Sequence, residues 1–313
     1  MNIGVENTSV YIIFMVLSGF ISLCLAYKSG IKFNLNIKQM WATLLLMPLF
    51  VLFFSHLLYC LVDIEMVIYD NSFWYIFAFW NSGHMVFGGI LGAIICILII
   101  SKKQAALFFE AFTPSIAIMV AFTRIAEGFL GQGYGEYWEG ETGCLTRFPF
   151  MIYDIDNELW AWAIFVLEAL VALCIFIFLI KKAKTWNGDS ILLFLGLYSS
   201  AQVILESLRR DDFLRWGFVR IEQLFAAICV LIVLIFYGIK AGKGNFIKKS
   251  LGFSVFLITV VSFILLEFAL EGRVSFLLFL DVSSCYILMA IASIIMGAAV
   301  LYMRNICNKT LKG

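Results

Sequence analysis

Charge is scarce in this chain: 14% of its 313 residues are Asp, Glu, Lys or Arg, while 63% are apolar. Soluble domains run about 25% charged and about 45–50% apolar. A soluble enzyme is therefore excluded, and disorder, collagen and coiled coil fall with it. Histidine is scarcer still, with 2 residues, so few side chains titrate near neutral pH. The 8 cysteines are scattered and form neither a CxxC nor a Cys/His cluster. That spacing supports neither a zinc site nor a disulfide framework, and no metal or soluble cofactor is indicated. Neither sign of charge is in excess, with 22 basic against 21 acidic residues, so nucleic acid is not an expected partner. The opening MNIGVENTSV lacks a basic n-region, so the first apolar run is expected to be a retained helix.

What the chain has is length of apolar run. Mean hydropathy is +0.99. The runs suit a bilayer core of about 30 Å, which needs about 20 apolar residues per helix. Barrel strands would instead show short alternating segments. The reading is an all-α, polytopic helical membrane protein of about nine spans. They lie near 9–27, 40–62, 84–101, 105–124, 158–180, 190–208, 217–239, 250–271 and 282–303. The aromatic stretch at 73–80 is too short to cross and reads as interfacial or re-entrant.

Alternate loops are lysine-rich: Lys28, Lys32 and Lys38; Lys102 and Lys103; Lys181, Lys182 and Lys184; Lys240, Lys243, Lys248 and Lys249; then Arg304, Lys309 and Lys312. The other loops are acidic. The positive-inside rule puts the lysine loops in the cytoplasm, the N-terminus out and the C-terminus in, as nine spans require. The remaining 7 basic residues are all arginines at or beyond outer span ends. One reading pairs them with outer carboxylates, as in Arg209–Asp212. The other uses the guanidinium fork to bind phosphate in a way lysine cannot. Residues 125–157 form the one long outer loop, rich in Gly and acid, and loops of that length are usually functional. A compositional break near 240–250 separates a seven-span domain, 1–240, from two further spans in 241–313. Those two contain few ionisable groups beyond Glu267 and look like a packing appendage.

Three motifs carry chemistry. In GHMVFGGILG (83–92), Gly88 and Gly92 share a helical face with His84 one turn earlier; small residues there admit a neighbouring helix or leave a groove for a lipid head. In TRIAEGFLGQGYGEYWEG (123–140), Arg124 ends the fourth span and Glu127 follows on the same face, before a glycine-permissive loop with Gln132, Tyr134 and Gly135. This is either a phosphate-plus-base pair or a structural ion pair closing a helix. In YSSAQVILESLRRDD (198–212), Tyr198, Gln202, Glu206 and Arg209 form one polar stripe on an apolar helix. A charge at the bilayer centre costs about 2.5–3.5 kcal/mol on insertion scales, so the stripe faces protein or a wet cavity. Glu206–Arg209 can equally be a structural pair. Glu110 is expected to snorkel to the cytoplasmic end. Glu168, inside the fifth span, has no evident partner.

In this order and at these span ends, the motifs resemble the phosphatidylglycerol–prolipoprotein diacylglyceryl transferase family of bacterial inner membranes. The family pattern W-D-G-G-x-x-F-H-G-G-L-x-G aligns with W-N-S-G-H-M-V-F-G-G-I-L-G. R-x-G-N-F-x-N-x-E-x-x-G aligns with R-I-A-E-G-F-L-G-Q-G-Y-G. Y-x-x-x-R-x-x-x-E-F-x-R aligns with Y-S-S-A-Q-V-I-L-E-S-L-R, and G-x-x-x-x-Q with G-F-V-R-I-E-Q. Tyr11, Gly88, Gly89, Gly92, Arg124, Gly135, Tyr198, Glu206, Arg209 and Gln223 match. The family's His falls on Phe87, its signature Asn on Glu127, its Glu on Gln132 and its second Arg on Gln202. The chain resembles a divergent member, and the last two spans lie outside the resemblance.

The resemblance implies transfer of diacylglyceryl from phosphatidylglycerol to a cysteine thiol of a lipoprotein precursor, at the outer side of the cytoplasmic membrane. Such a reaction needs a cation for the departing phosphate, a base for the thiol proton and a lateral opening for lipid and peptide. Arg124 is the candidate clamp and Glu127 the candidate base, with partial burial and Arg124 acting on its proton in opposite directions. His84 is the second catalytic candidate. Tyr11, Gly88, Gly92, Gln132, Gly135, Tyr198, Gln202, Glu206 and Arg209 are candidate substrate contacts. Partners would be phosphatidylglycerol or another anionic glycerolipid, a lipoprotein-precursor signal peptide and membrane lipids. The alternative is a lipid- or signal-peptide-binding protein on the same scaffold without turnover. A transporter is disfavoured, because the charges gather at one face and not at the midplane.

Overall fold

In the computed structural model the chain is described at residues 2–3, 7–70, 72–81, 83–182, 188–211, 214–216, 219–242, 244, 246–274, 277 and 279–312. Lys184, Lys243 and Asp212, and with Asp212 the expected Arg209–Asp212 pair, lie outside these residues. Among the described residues are nine α-helices: α1 (Thr8–Lys32), α2 (Ile37–Val62), α3 (Val86–Ser101), α4 (Ala105–Glu127), α5 (Ile164–Lys182), α6 (Ser190–Leu208), α7 (Ile221–Lys240), α8 (Phe246–Leu270) and α9 (Val282–Lys312). The nine helices answer to the nine expected spans; among the described residues eight stretches are long and apolar enough to cross a membrane, and one of these, the run Val86–Leu130, holds both α3 and α4. That run is broken by a 3-10 turn at Lys102–Gln104, where Lys102 takes φ 43, a conformation an α-helix cannot continue through.

The chain divides into two compact units, one of residues 1–191 and 209–216, the other of 192–208 and 217–313. In the first, α2 packs against α3, and α4 packs against α1 and α5. The α2–α3 contact depends on missing side chains. A Cβ on Gly88 would stand 2.5 Å from the Phe54 carbonyl oxygen, and one on Gly92 would stand 2.3 Å from that of Phe50. These glycines therefore serve backbone approach, and their face is closed to a lipid head. The residues before α3 are not helical, so His84 lies off the helical face expected for it. The aromatic stretch is a short 3-10 helix, Phe73–Phe77, with Phe73, Trp74 and Trp80 exposed, as suits the headgroup zone.

The long loop after α4 is not irregular. It holds β2 (Tyr137–Trp138), β3 (Met151–Asp154) and β4 (Leu159–Trp162), paired antiparallel, with β1 (Asn2–Ile3) parallel to β3. Ile152, Ala161 and Phe165 form its small core with Ile3. Asp154 anchors the sheet by accepting from Tyr137 Oη at 2.5 Å and from Asn157 Nδ2 at 2.8 Å. Two further two-residue strands, β5 (Arg215–Trp216) and β6 (Val219–Arg220), precede α7.

In the second unit α9 packs against α7 and α8. It also lies on α6: Val300 fills the space beside Gly196, and Ser293 Oγ donates to the Ser200 carbonyl at 2.6 Å. The last two helices thus pack directly on helices that precede residue 240. Glu110 does not snorkel; it is buried in α4 and hydrogen-bonded to Ser190.

Candidate active site

The first unit gathers two arginines and three carboxylates from separate stretches of chain. Helix α4 contributes Arg124 and, one turn on, Glu127, because the helix persists to that residue. Helix α5 contributes Glu168, and the segment after α6 contributes Arg209 and Asp211. Arg124 Nη1 donates to Glu127 Oε1 at 2.7 Å, and Arg209 Nη1 donates to the other oxygen of Glu127 at 3.0 Å. Glu168 Oε2 lies 3.6 Å from Arg124 Nε and 3.5 Å from Arg209 Nη1, so it bridges both cations. Arg209 also grips Asp211 in a fork, Nε to Oδ1 at 3.1 Å and Nη2 to Oδ2 at 2.6 Å.

Burial explains the pairing. Arg124 is 1% exposed, Arg209 2% and Glu168 0%. Taking one such ion out of water costs several kcal/mol unless opposite charge and hydrogen bonds compensate it. Glu127 is the most open of the five, with its side chain 13% exposed. The glycine loop fits itself to this network. The Gly133 N–H donates to Asp211 Oδ2 at 2.9 Å. Gly133 has φ +74, and a Cβ there would stand 2.8 Å from the Phe165 Cβ and 3.5 Å from Glu127 Oε2. Only glycine meets both conditions. The Gln132 N–H caps the Glu127 carbonyl and the Gly135 N–H bonds the Trp162 carbonyl, so both are held through backbone. Tyr11 lies on α1, which packs against α4.

The arrangement brings together Arg124, Glu127 and Arg209 of the expected residues. Glu168, Asp211 and Gly133 were missed. A signal existed for Glu168, since a carboxylate inside a span must find a partner, but one sequence does not say which. For His84 the contacts are these: its Nε2 bonds the Asn81 carbonyl at 3.0 Å, and its ring lies 5.5 Å from that of His56. His56 is held between the carbonyls of Gly83 (2.9 Å) and Tyr75 (3.0 Å). Among the described residues no group of three or more His, Cys, Asp or Glu is placed to hold a metal ion.

The stripe on α6 lies in the second unit. Gln202 Nε2 donates to Glu206 Oε1 at 2.7 Å, and Arg220 Nη1 lies 3.9 Å from Glu206 Oε2. Tyr198 is buried and stacked on Phe194. Arg209 falls one residue past the end of the helix, and its fork turns to Asp211.

Residues 1–239 match the sequence model of the prolipoprotein diacylglyceryl transferase family. The chain belongs to that family. Among relatives named phosphatidylglycerol–prolipoprotein diacylglyceryl transferase, that of Fervidobacterium nodosum is 30% identical over 54% of this chain and 60% of its own length. That of Campylobacter jejuni subsp. doylei is 28% identical over 68% of this chain and 83% of its own, and that of Listeria innocua is 23% identical over 80% and 93%. The chain thus spans three fifths of the first of these transferases and more of the other two. The family match ends at residue 239, one residue before α7 does, so α8 and α9 lie outside it.

Proposed function

We propose that this protein transfers the diacylglyceryl group of phosphatidylglycerol to the cysteine thiol of a lipoprotein precursor, working at the outer side of the bacterial cytoplasmic membrane as a multi-pass protein with its N-terminus out. Family membership supports the reaction. The observation that carries the site is the pair of buried arginines sharing Glu127 and Glu168.

The reaction forms one C–S bond and breaks one C–O bond. The thiol sulfur attacks the glyceryl carbon bearing the phosphate, the thiol proton goes to a base, and glycerol phosphate leaves with the electron pair. Arg124 is the clamp, since a guanidinium pairs with phosphate oxygens through parallel N–H bonds. Arg209 is the second cation, already braced by Asp211. The five groups total two positive and three negative formal charges, so an incoming phosphate competes with a carboxylate for a guanidinium. Glu127 is the most accessible of the three and shares its oxygens between the arginines, which makes it the one to yield. A carboxylate that loses its guanidinium is a stronger base. Phosphate arrival and activation of Glu127 are thereby one event, and the proton acceptor appears when the donor lipid is in place. Tyr11 and Gln132 orient the head beside it. The precursor's signal peptide is the second substrate.

The test is purified protein with phosphatidylglycerol vesicles and a lipobox peptide, reading the thioether product. Wild type is expected to form product, and Arg124→Ala to form none while still inserting, with an unfolding midpoint lowered by the carboxylates it strands. Binding of both substrates without product by wild type would overturn the proposal.

A further inference from the structure

The start of α8 and the end of α9 enclose a recess that lies outside the family match and within the second unit alone. Its volume is about 400 Å³, and it is lined by Lys248 of α8 and by Tyr302, Asn305, Ile306, Lys309 and Thr310 of α9. Ligand pockets run from about 300 to 1,000 Å³. The α9 residues recur at intervals of three and four, so one helical face supplies them all. Gly252, one turn past Lys248, permits the close approach of the helices: a Cβ there would stand 2.7 Å from Met303 Sδ and 3.8 Å from Tyr302 Cδ1. Ile306 is buried, while Lys248, Asn305 and Lys309 are exposed.

Two ammonium groups line this recess without a counter-ion. Among the described residues neither Lys248 nor Lys309 has an ion-pair or hydrogen-bond partner, and neither do the side chains of Tyr302 and Asn305. The Thr310 hydroxyl is engaged by the Ile306 carbonyl at 2.7 Å, and Lys249 by that of Gly242. The five carboxylates of the unit, Glu206, Glu222, Glu267, Glu271 and Asp281, belong to the opposite ends of the same helices. The helix dipole favours Lys309 in the last turn of α9, but it disfavours Lys248 in the first turn of α8, where no acidic residue offsets it. The positive-inside rule explains lysines on this side of the membrane. It does not explain two of them lining one recess beside an amide and a phenol with donors to spare.

The recess continues along both helices as an apolar face. Leu251 lies one turn beyond Lys248, and Ile295 and Ile291 lie on the α9 face that carries Tyr302; all three are exposed. In helices that cross a bilayer such side chains meet acyl chains. Basic pockets between helices at the cytoplasmic side bind anionic head groups. An anion with chains attached satisfies both parts of this surface, and free phosphate satisfies one. We propose that the recess holds the head group of an anionic phospholipid on the lysine-loop side of the membrane. Lys248 and Lys309 pair with its phosphate, the Asn305 amide and the Tyr302 hydroxyl donate to its oxygens, and its chains follow Leu251 and Ile295. The bound lipid ties α8 to α9, through residues that take no part in the arginine–carboxylate site.

The experiment is amine labelling of the full-length protein in nanodiscs, read lysine by lysine through peptide mass spectrometry. The discs contain phosphatidylcholine alone, phosphatidylcholine with phosphatidylglycerol, or phosphatidylcholine with inorganic phosphate in the buffer. Phosphatidylglycerol should slow labelling of Lys248 and Lys309 about fivefold or more. Lys102 and Lys103, exposed in another lysine loop, should slow far less. In Lys309→Gln most of the protection of Lys248 should disappear, and in Lys309→Arg, which keeps the charge, it should remain. Equal slowing at all four lysines would reduce the effect to general surface attraction and overturn the site, as would full protection of Lys248 in Lys309→Gln. Protection by inorganic phosphate as strong as that by the lipid would make the ligand a soluble anion and overturn the lipid assignment. No turnover is involved, so the result stands apart from the transferase reading.

Discussion

Glu168 decides whether two guanidiniums can share one dry site. Its oxygen stands within 3.6 Å of both Arg124 and Arg209, and it is fully buried. Removing one member of such a group strands the others, at a cost of about 3–5 kcal/mol. Glu168→Ala should therefore lower the thermal unfolding midpoint in detergent by several degrees and abolish transfer, and Glu168→Gln should recover part of the midpoint. An unshifted midpoint for Glu168→Ala would mean that Glu168 does not carry the pairing. Arg124→Lys tests the fork: the charge survives but parallel hydrogen bonding does not, so transfer should fall about tenfold or more with normal folding. The sequence exposed Arg124, Glu127 and Arg209 because charge at a span end stands out against apolar neighbours. It did not expose Asp211, whose neighbour Asp212 was an equal choice, or Gly133, which is one of six glycines in the loop.

At the scale of elements, glycine spacing has opposite consequences in α1 and α3. Gly92 lies against the α2 backbone, whereas a Cβ on Gly19 meets nothing within 4 Å. Gly92→Ala should destabilise the protein by about 1–3 kcal/mol through overpacking, and Gly19→Ala should be neutral or slightly stabilising. Equal unfolding midpoints for the two would contradict this packing. The sheet in the long loop makes a prediction in pH. Burial raises the Asp154 proton affinity, but hydrogen bonds from Tyr137, Asn157 and two backbone N–H groups outweigh it, and its pKa lies below the ordinary carboxylate value. That stabilisation is present above about pH 4, near the unfolded value, and is lost as pH falls further. Burial, together with the Asp154 acceptor, pushes the Tyr137 hydroxyl up. Its contribution is present below about pH 10 and is lost as pH rises beyond. Amide protection factors in 151–162, taken relative to the intrinsic exchange rate at each pH, should be highest between these limits, and Asp154→Asn should remove the acid-side dependence. The sheet was not legible because its strands have two to four residues, too short for alternation to show.

For the whole molecule, two expectations concern membrane sidedness and the last two helices. Cys144 is exposed in the long loop, and Lys309 lies near the C-terminus. A membrane-impermeant maleimide applied to intact cells should label Cys144, and should label an introduced Lys309→Cys only after permeabilisation. Early labelling at 309 would reverse the orientation drawn from the lysine loops. Truncation after Lys240 removes Val300 from Gly196, Ser293 from Ser200 and Glu267 from Gln223. The shortened chain should accumulate poorly and unfold at lower temperature, and a midpoint equal to that of the full chain would show α8 and α9 to be dispensable for stability.

Apolar run length determined, without coordinates, that the chain is a bundle of membrane-length helices, since lipid leaves backbone groups no partners but their own. Motif order determined the family, because it survives at identities where side-chain roles have begun to drift. Only the tertiary structure decided which carboxylates neutralise Arg124 and Arg209, and that Glu267 of α8 accepts a hydrogen bond from Gln223 of α7. A buried charge needs a partner close in space, and helices separated by dozens of residues supply it according to how they pack, which hydrophobic pattern does not record.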